Sequence, residues 1–273
     1  MQYRKFTFKG KAENLSILSV FLFEDEFEGI EEAGQQMHAY IKLDAKNDLL
    51  SPEVKEFLHL NHIEFQSEIV NDANWNAIWE SSFEPILVEN KCVVRADHHS
   101  KVKNVDFDII INPQMTFGTG HHPTTYLMIK KMLEINITNK SVFDFGTGTG
   151  VLAILAELMG AKQIFCNDID ENCKSNTLEN FAKNNTKKAV FKLGDIDLIK
   201  NQKFDLILAN VTRNTILERW QKLQNALNPN GKLIISGFQT NDKSFFDKAS
   251  EQSNLKIVDT EMFNNWLVIV LNN

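Results

Sequence analysis

The sequence predicts an α/β protein: a doubly wound parallel sheet with helices on both faces, preceded by a small α+β domain. Three observations predict it. Beyond Ser141, apolar strand-like runs alternate regularly with helical ones. A glycine-rich turn, FDFGTGTG from Phe143 to Gly150, joins the first strand and the first helix of that series. The first seventy residues instead mix short strand-like runs with two helix-like ones. A chain of 273 residues accommodates both pieces, with boundaries at 1–70, 71–90 for a linker helix, and 91–273.

In order, the first segment reads as strands at YRKFTF, MHAYIKL and IEFQSEIV and as helices at ENLSILSVFLF and SPEVKEFLHL. Ser51-Pro52-Glu53 is a helix start, since proline in the first turn gives up only an N–H that has no helical partner. The mixture predicts a ferredoxin-like sandwich. Residues 72–85 form an acidic, tryptophan-bearing helix ending at Pro85, with Trp75 and Trp79 on one face and packed on a neighbour. From Ile86 to Ile111 short runs predict strands or hairpins, and TTYLMIKKMLEI, from Thr124, an amphipathic helix.

The regular series follows as strand 141–145, helix 151–159, strand 163–167, helix 171–184, strands 189–193 and 204–209, helix 215–226, strand 232–237 and helix 242–252. Asn228-Pro229-Asn230-Gly231 reads as a turn before the 232–237 strand. LKIVDTEMF and NWLVIVL, separated by Asn264-Asn265, close the chain as an antiparallel pair.

The glycine turn lets a ligand lie against bare backbone at a helix N-terminus. Its spacing is G-x-G-x-G, not the G-x-G-x-x-G of a dinucleotide fingerprint, and Asp144 stands where a pyrophosphate would tolerate no carboxylate. An acid there suits a cationic ligand. S-adenosylmethionine, a nucleoside bearing an ammonium and a sulfonium, meets that demand, with Gly146 and Gly148 against it. Asp168 comes twenty-two residues after Gly146, the distance at which a second strand delivers a carboxylate to a ribose diol. Asp168 and Asp170 also suit N-caps for the helix starting at Glu171. Asp195, at the mouth of the third strand, is either an acceptor for an adenine amino group or a solvated turn acid.

The fourth strand, KFDLILAN, ends at Asn210, where open parallel sheets bind their ligands. Asn210 is therefore the candidate catalytic residue. Val211-Thr212-Arg213 follow without an aromatic to sandwich a flipped base, which weighs against a nucleobase substrate. Upstream, NPQMTFGTGHHPTT, from Asn112 to Thr125, is a second glycine-rich loop that can close over a cofactor, with Thr124 and Thr125 at the start of the next helix. His98, His99, His121 and His122 are four of the chain's seven histidines. Neighbours on an extended chain point to opposite sides, and no carboxylate or cysteine shares the spacing of a metal site, so no metal is expected.

Taken together, FGTGHHPTT (117–125), FDFGTGTG (143–150), NDID (167–170) and LAN (208–210) resemble the ribosomal protein L-eleven methyltransferase family, the PrmA enzymes. The first motif is the discriminating one, because many S-adenosylmethionine enzymes share the glycine turn alone. The resemblance covers most of residues 75–273 and is thinner over 1–70. It implies a seven-stranded Rossmann-like methyltransferase sheet and S-adenosyl-L-methionine as cofactor. Contacts would fall on Thr125, Gly146, Asp168 and Asn210, with Phe117 and His122 nearby. The acceptors it implies are lysine side-chain and/or N-terminal amines of a large-subunit ribosomal protein; another protein or a small amine is the alternative. Two departures stand out: G-T-G-T-G replaces a common G-C-G-S-G, and Val211-Thr-Arg replaces an aliphatic run beside the substrate pocket.

Composition bounds the partners. With 43% hydrophobic and 24% charged residues the chain is an ordinary globular one. Residues 1–70 carry seven Lys and Arg against thirteen Asp and Glu, net −6, whereas the rest carries 22 against 23, net −1. Six of the acids lie between Glu24 and Glu32. Such a segment attracts a basic protein and repels free RNA, so no direct nucleic-acid partner is expected; a solvated loop kept for solubility accounts for it equally. Cys92, Cys166 and Cys173 show no C-x-x-C spacing, which indicates a reducing compartment. With no apolar signal core at the start and no apolar run near the roughly 18 residues of a membrane span, a cytoplasmic monomer is expected.

Overall fold

A computed structural model describes residues 2–11, 14–15, 17–19, 22, 27, 29–33, 36–43, 50–71, 84–112 and 122–273. Trp75, Trp79, Phe117, His121 and the acidic side chains between Glu24 and Glu32 lie outside the described residues. Contacts divide the chain into two units, Met1–Trp79 and Glu80–Asn273.

In the first unit, β1 (Gln2–Lys9) pairs antiparallel with β3 (Gln36–Lys42) and β4 (Glu64–Asn71), and β2 (Gly29–Ala33) pairs with β3. The order β2-β3-β1-β4 is that of a ferredoxin-like sheet. Helix α1 (Pro52–Leu60) joins β3 to β4; Ser51 caps it by accepting from the Val54 N–H, and Pro52 occupies the first turn. Period-two positions on β1 and β3 (Phe6, Phe8, Met37, Ala39) bury one face against Leu15, Leu18, Val54 and Leu58.

The second unit opens with a three-stranded sheet of β5 (Ile86–Val88), β6 (Cys92–Ala96) and β7 (Phe107–Ile111), followed by α2 (Pro123–Leu133). The main series comprises β8 (Ser141–Phe145), α3 (Val151–Leu158), β9 (Gln163–Asp168), α4 (Glu171–Lys183), β10 (Ala189–Leu193) and β11 (Phe204–Asn210). It continues through α5 (Arg213–Asn225), β12 (Leu227–Gln239), α6 (Lys243–Glu251), β13 (Lys256–Phe263) and β14 (Trp266–Asn272). These strands make one seven-stranded sheet in the order β10-β9-β8-β11-β12-β14-β13, in which β14 alone runs against the others. Both faces are covered, as a parallel sheet requires. Val142, Ile164, Leu206 and Leu208 pack with α2 and α3, while Phe143, Phe165, Ile207 and Ile235 pack with α5 and α6.

Two expected boundaries move. The Asn228–Gly231 turn lies inside β12: Leu227 already pairs with Phe204, the register then shifts, and Asn230 takes φ +62°. Helix α5 starts at Arg213 because the Thr212 side chain caps it, accepting from the Thr215 N–H.

Asparagines on α4 serve β7 as a further strand would. Asn184 accepts from the Ile110 N–H at 2.9 Å and donates to the Ile110 carbonyl at 2.6 Å. Asn180 accepts from the Asn112 N–H at 2.7 Å, and Asn176 donates to the Asn112 carbonyl at 3.2 Å. The same helix face holds the glycine turn, since Asn180 donates to the Thr149 carbonyl at 2.9 Å and Thr177 to that of Gly148 at 2.6 Å.

Candidate active site

The strand order reverses between β8 and β11, and at that switch point a cleft of about 530 Å³ opens along the carboxyl ends of the strands. Gly146, Gly148, Asp168, Asp195 and Asn210 all line it. Thr125 and His122 do not line it but touch Asn210 and Trp266, which do, and Phe117 lies outside the described residues.

The turn between β8 and α3 holds Gly146, Gly148 and Gly150 at φ +71°, +54° and +82°, a left-handed region that β-carbons disfavour. A Cβ on Gly146 would also sit 2.3 Å from Cγ1 of Val211. Gly150 is the N-cap of α3 and offers no side-chain cap, so the helix relies on other partners for its first N–H groups.

Asp144 is buried directly beneath the turn, at 1% exposure. Burial pushes its carboxyl up to about 7, helped by the charge of Asp168 and opposed by hydrogen bonds from Thr147 and the Ala153 backbone. The Thr147 hydroxyl donates to it at 2.6 Å. Asp168 is aimed by backbone: Gly148 N–H donates to Oδ2 at 2.9 Å and Asp170 N–H to Oδ1 at 3.0 Å. Asp170 itself caps α4, accepting from Asn172.

Asp195 caps the 3₁₀ turn Ile196–Ile199. Its Oδ1 accepts from the Ile196 N–H at 2.7 Å and its Oδ2 from Arg219 at 2.8 Å. Burial would raise its pKa, but Arg219 and the Ile196 amide outweigh that and the net shift is downward. Its ties are therefore to Arg219 and the turn, a partnership that local sequence does not reveal.

Asn210 and Thr125 come together from elements 85 residues apart: the Asn210 Nδ2 donates to the Thr125 hydroxyl at 3.3 Å. Thr125 is fully buried, Asn210 is 7% exposed, and the Asn210 Oδ1 is buried without a hydrogen-bond partner. An orphaned acceptor of this kind costs about 1–3 kcal/mol. His122 caps α2 through its side chain, which accepts from the Thr124 N–H, and burial holds its pKa below the ordinary value. Its ring meets Trp266 with centroids 4.3 Å apart and planes at 71°.

Sequence reasoning missed Trp266, Arg219 and Thr215, all of which line the cleft. Trp266 carried one signal, its position directly after the Asn264-Asn265 turn. Among the described residues no three His, Cys, Asp or Glu side chains gather as a metal site would require.

A seven-stranded, doubly wound sheet with an acid under the switch-point glycine turn and a second acid one strand away defines the Rossmann-like methyltransferase class. The sequence model of the ribosomal protein L11 methyltransferase (PrmA) family matches residues 12–273. The chain is 38% identical over 259 residues to the ribosomal protein L11 methyltransferase of Porphyromonas gingivalis, covering 93% of this chain and 89% of that protein. It is 34% identical to the protein of that name from Bacteroides thetaiotaomicron, over 98% of this chain and 99% of the other. The crystal structure of ribosomal protein L11 methylase from Lactobacillus delbrueckii subsp. bulgaricus matches with a TM-score of 0.65 and 25% identity, covering 69% of this chain and 98% of that one. The chain belongs to the ribosomal protein L11 methyltransferase family.

Proposed function

We propose that the protein is an S-adenosylmethionine-dependent N-methyltransferase that modifies lysine side-chain and/or N-terminal amines of ribosomal protein L11. The observation that carries the reading is the unpartnered Oδ1 of Asn210, held at the switch point beside the glycine turn. The residues fit the cofactor: a glycine cradle that a Cβ would fill, a buried acid suited to a cation, and Asp168 oriented to accept from two hydroxyls. Gly146 and Gly148 would hold its backbone-facing side, Asp168 its ribose, and Asp195 with Arg219 would frame its base. Thr125 would fix the rotamer of Asn210, and His122 would lie near that end.

When bound, S-adenosylmethionine supplies an electrophilic methyl group on a sulfonium. The protein has to present a nitrogen with a free lone pair. A lysine with an ordinary pKa near 10.4 is neutral in about one molecule in 2,500 at pH 7. A neutral amide acceptor such as Asn210 Oδ1 aims an amine N–H without favouring the charged ammonium, as a carboxylate would. The burial of Asn210 and Thr125 would help keep water from the reacting nitrogen. The acidic first segment would bring a basic target close.

Purified protein incubated with tritiated S-adenosylmethionine and ribosomal proteins from cells lacking this enzyme is expected to label one band, L11. Labelling of other proteins with L11 untouched would refute the assignment of substrate.

A further inference from the structure

We propose that Trp266 forms the acceptor-side wall of the cleft, its indole face receiving the positive charge that develops on the target nitrogen. The inference rests on the methyl-transfer reading above and adds a residue to it. In strand order the cleft runs from Asp168 on β9, past Gly146 after β8 and Asn210 on β11, to Gly237 on β12 and Trp266 on β14. At about 4.8 Å per strand this is a span of about 19 Å. With the sugar at Asp168 and the main-chain cradle at Gly146, Asn210 stands midway, and the β12–β14 end is left for the target.

The acids lining the cleft among the described residues, Asp168, Asp170 and Asp195, all lie at or just after the ends of β9 and β10. Beyond Asn210 the described residues lining the cleft include the Trp266 indole and no carboxylate, and Asp242, which follows β12, is tied to Arg213 and to the Gln239 N–H. The ring is also held in place. Trp266 pairs with Gln239 of β12 directly after two turn residues at φ +47° and +65°, and its edge-to-face contact with His122 rests on the cap of α2.

Chemistry gives the aromatic face a purpose. A carboxylate beside the nitrogen would keep the incoming amine protonated and unreactive. In the transfer, the nitrogen lone pair forms the N–C bond while the C–S pair returns to sulfur; an N–H proton then leaves to water. Positive charge thus moves from sulfur to nitrogen. A π face attracts a neutral amine weakly and an ammonium strongly, so its stabilisation grows toward the transition state. About 1 kcal/mol, between the exposed and desolvated limits for such contacts, corresponds to about fivefold.

Site-specific replacement of Trp266 by mono-, di- and trifluorotryptophan keeps the ring's shape and removes its negative face. Across that series kcat for L11 is expected to fall progressively by about fivefold, with the Kd for S-adenosylhomocysteine unchanged. Calorimetry with S-adenosylhomocysteine bound adds a readout independent of turnover. Choline affinity is expected to weaken in the same order, while its neutral isostere 3,3-dimethylbutan-1-ol is indifferent to fluorine content. A kcat series that is flat overturns the proposal, as does a flat choline series. If the unsubstituted protein methylates no amine while choline affinity still follows fluorine content, the L11 reading fails and the cation-accepting face stands.

Discussion

Replacing Asp144 by asparagine removes a titratable group from beneath the glycine turn while nearly preserving its shape. In the folded protein burial raises this carboxyl to about 7, against an ordinary value near 3.9. The folded state therefore holds a proton that the unfolded chain has already released between about pH 4 and pH 7. Folding takes up that proton, so stability falls as pH rises through this window and the penalty is complete above it. A carboxyl raised from near 3.9 to about 7 corresponds to a penalty of about 4 kcal/mol. Asp144→Asn carries no such slope. The assay is urea unfolding of ligand-stripped protein from pH 4.5 to 7.5, followed by the fluorescence of buried Trp220 with Trp75, Trp79 and Trp266 replaced by phenylalanine. The wild-type curve is expected to drop by several kcal/mol relative to the variant's. Parallel curves would refute the claim that a desolvated carboxyl lies under the turn. A bound cation reverses the trend, so at pH 7 S-adenosylmethionine should release a fraction of a proton that the variant does not, measurable by calorimetry in two buffers.

Gly146→Ala places a methyl 2.3 Å from Val211 at a positive φ, and is expected to weaken S-adenosylhomocysteine binding at least about tenfold by titration calorimetry. Asn210→Ala is expected to lower kcat about a hundredfold with the cofactor Kd little changed; retained turnover would remove Asn210 from the chemistry. Lys131, with a side chain only 7% exposed, pairs with Glu134, Asp259 and Glu261 at 2.9, 2.8 and 2.8 Å. Because those carboxylates are 29–47% exposed, Lys131→Met should cost about 2 kcal/mol, less than the loss of a fully buried pair. Adding Glu261→Gln should recover part of it in a double-mutant cycle.

The sheet was legible because its signals are local. Each strand is a short apolar run closed by a turn, and Gly146 to Gly150 has one conformational solution between β8 and α3. Asp168 was legible for the same reason, lying at a fixed distance along one βαβ unit. What local pattern does not carry is partnership across the chain. Arg219 claims an oxygen of Asp195 from 24 residues away, and Thr125 reaches Asn210 from 85. Trp266 read only as one apolar residue of a closing strand, because its place at the cleft follows from β14 lying next to β12. Asn228–Gly231 reads as a turn before the strand, but strand pairing on both sides absorbs it into β12. Nothing in the local sequence marks Asn176, Asn180 and Asn184, and only the position of β7 shows them to be buried or half-buried hydrogen-bonding groups.

That asparagine row has a consequence for how copies of the protein meet one another in a crowded solution. A bare strand edge is an open template for a neighbouring chain, and proteins commonly blunt it with charge, proline or a bulge. Here the helix that steadies the glycine turn also occupies the outer rim of β7, and one amide, Asn180, serves both resistance to intermolecular strand addition and integrity of the ligand cradle.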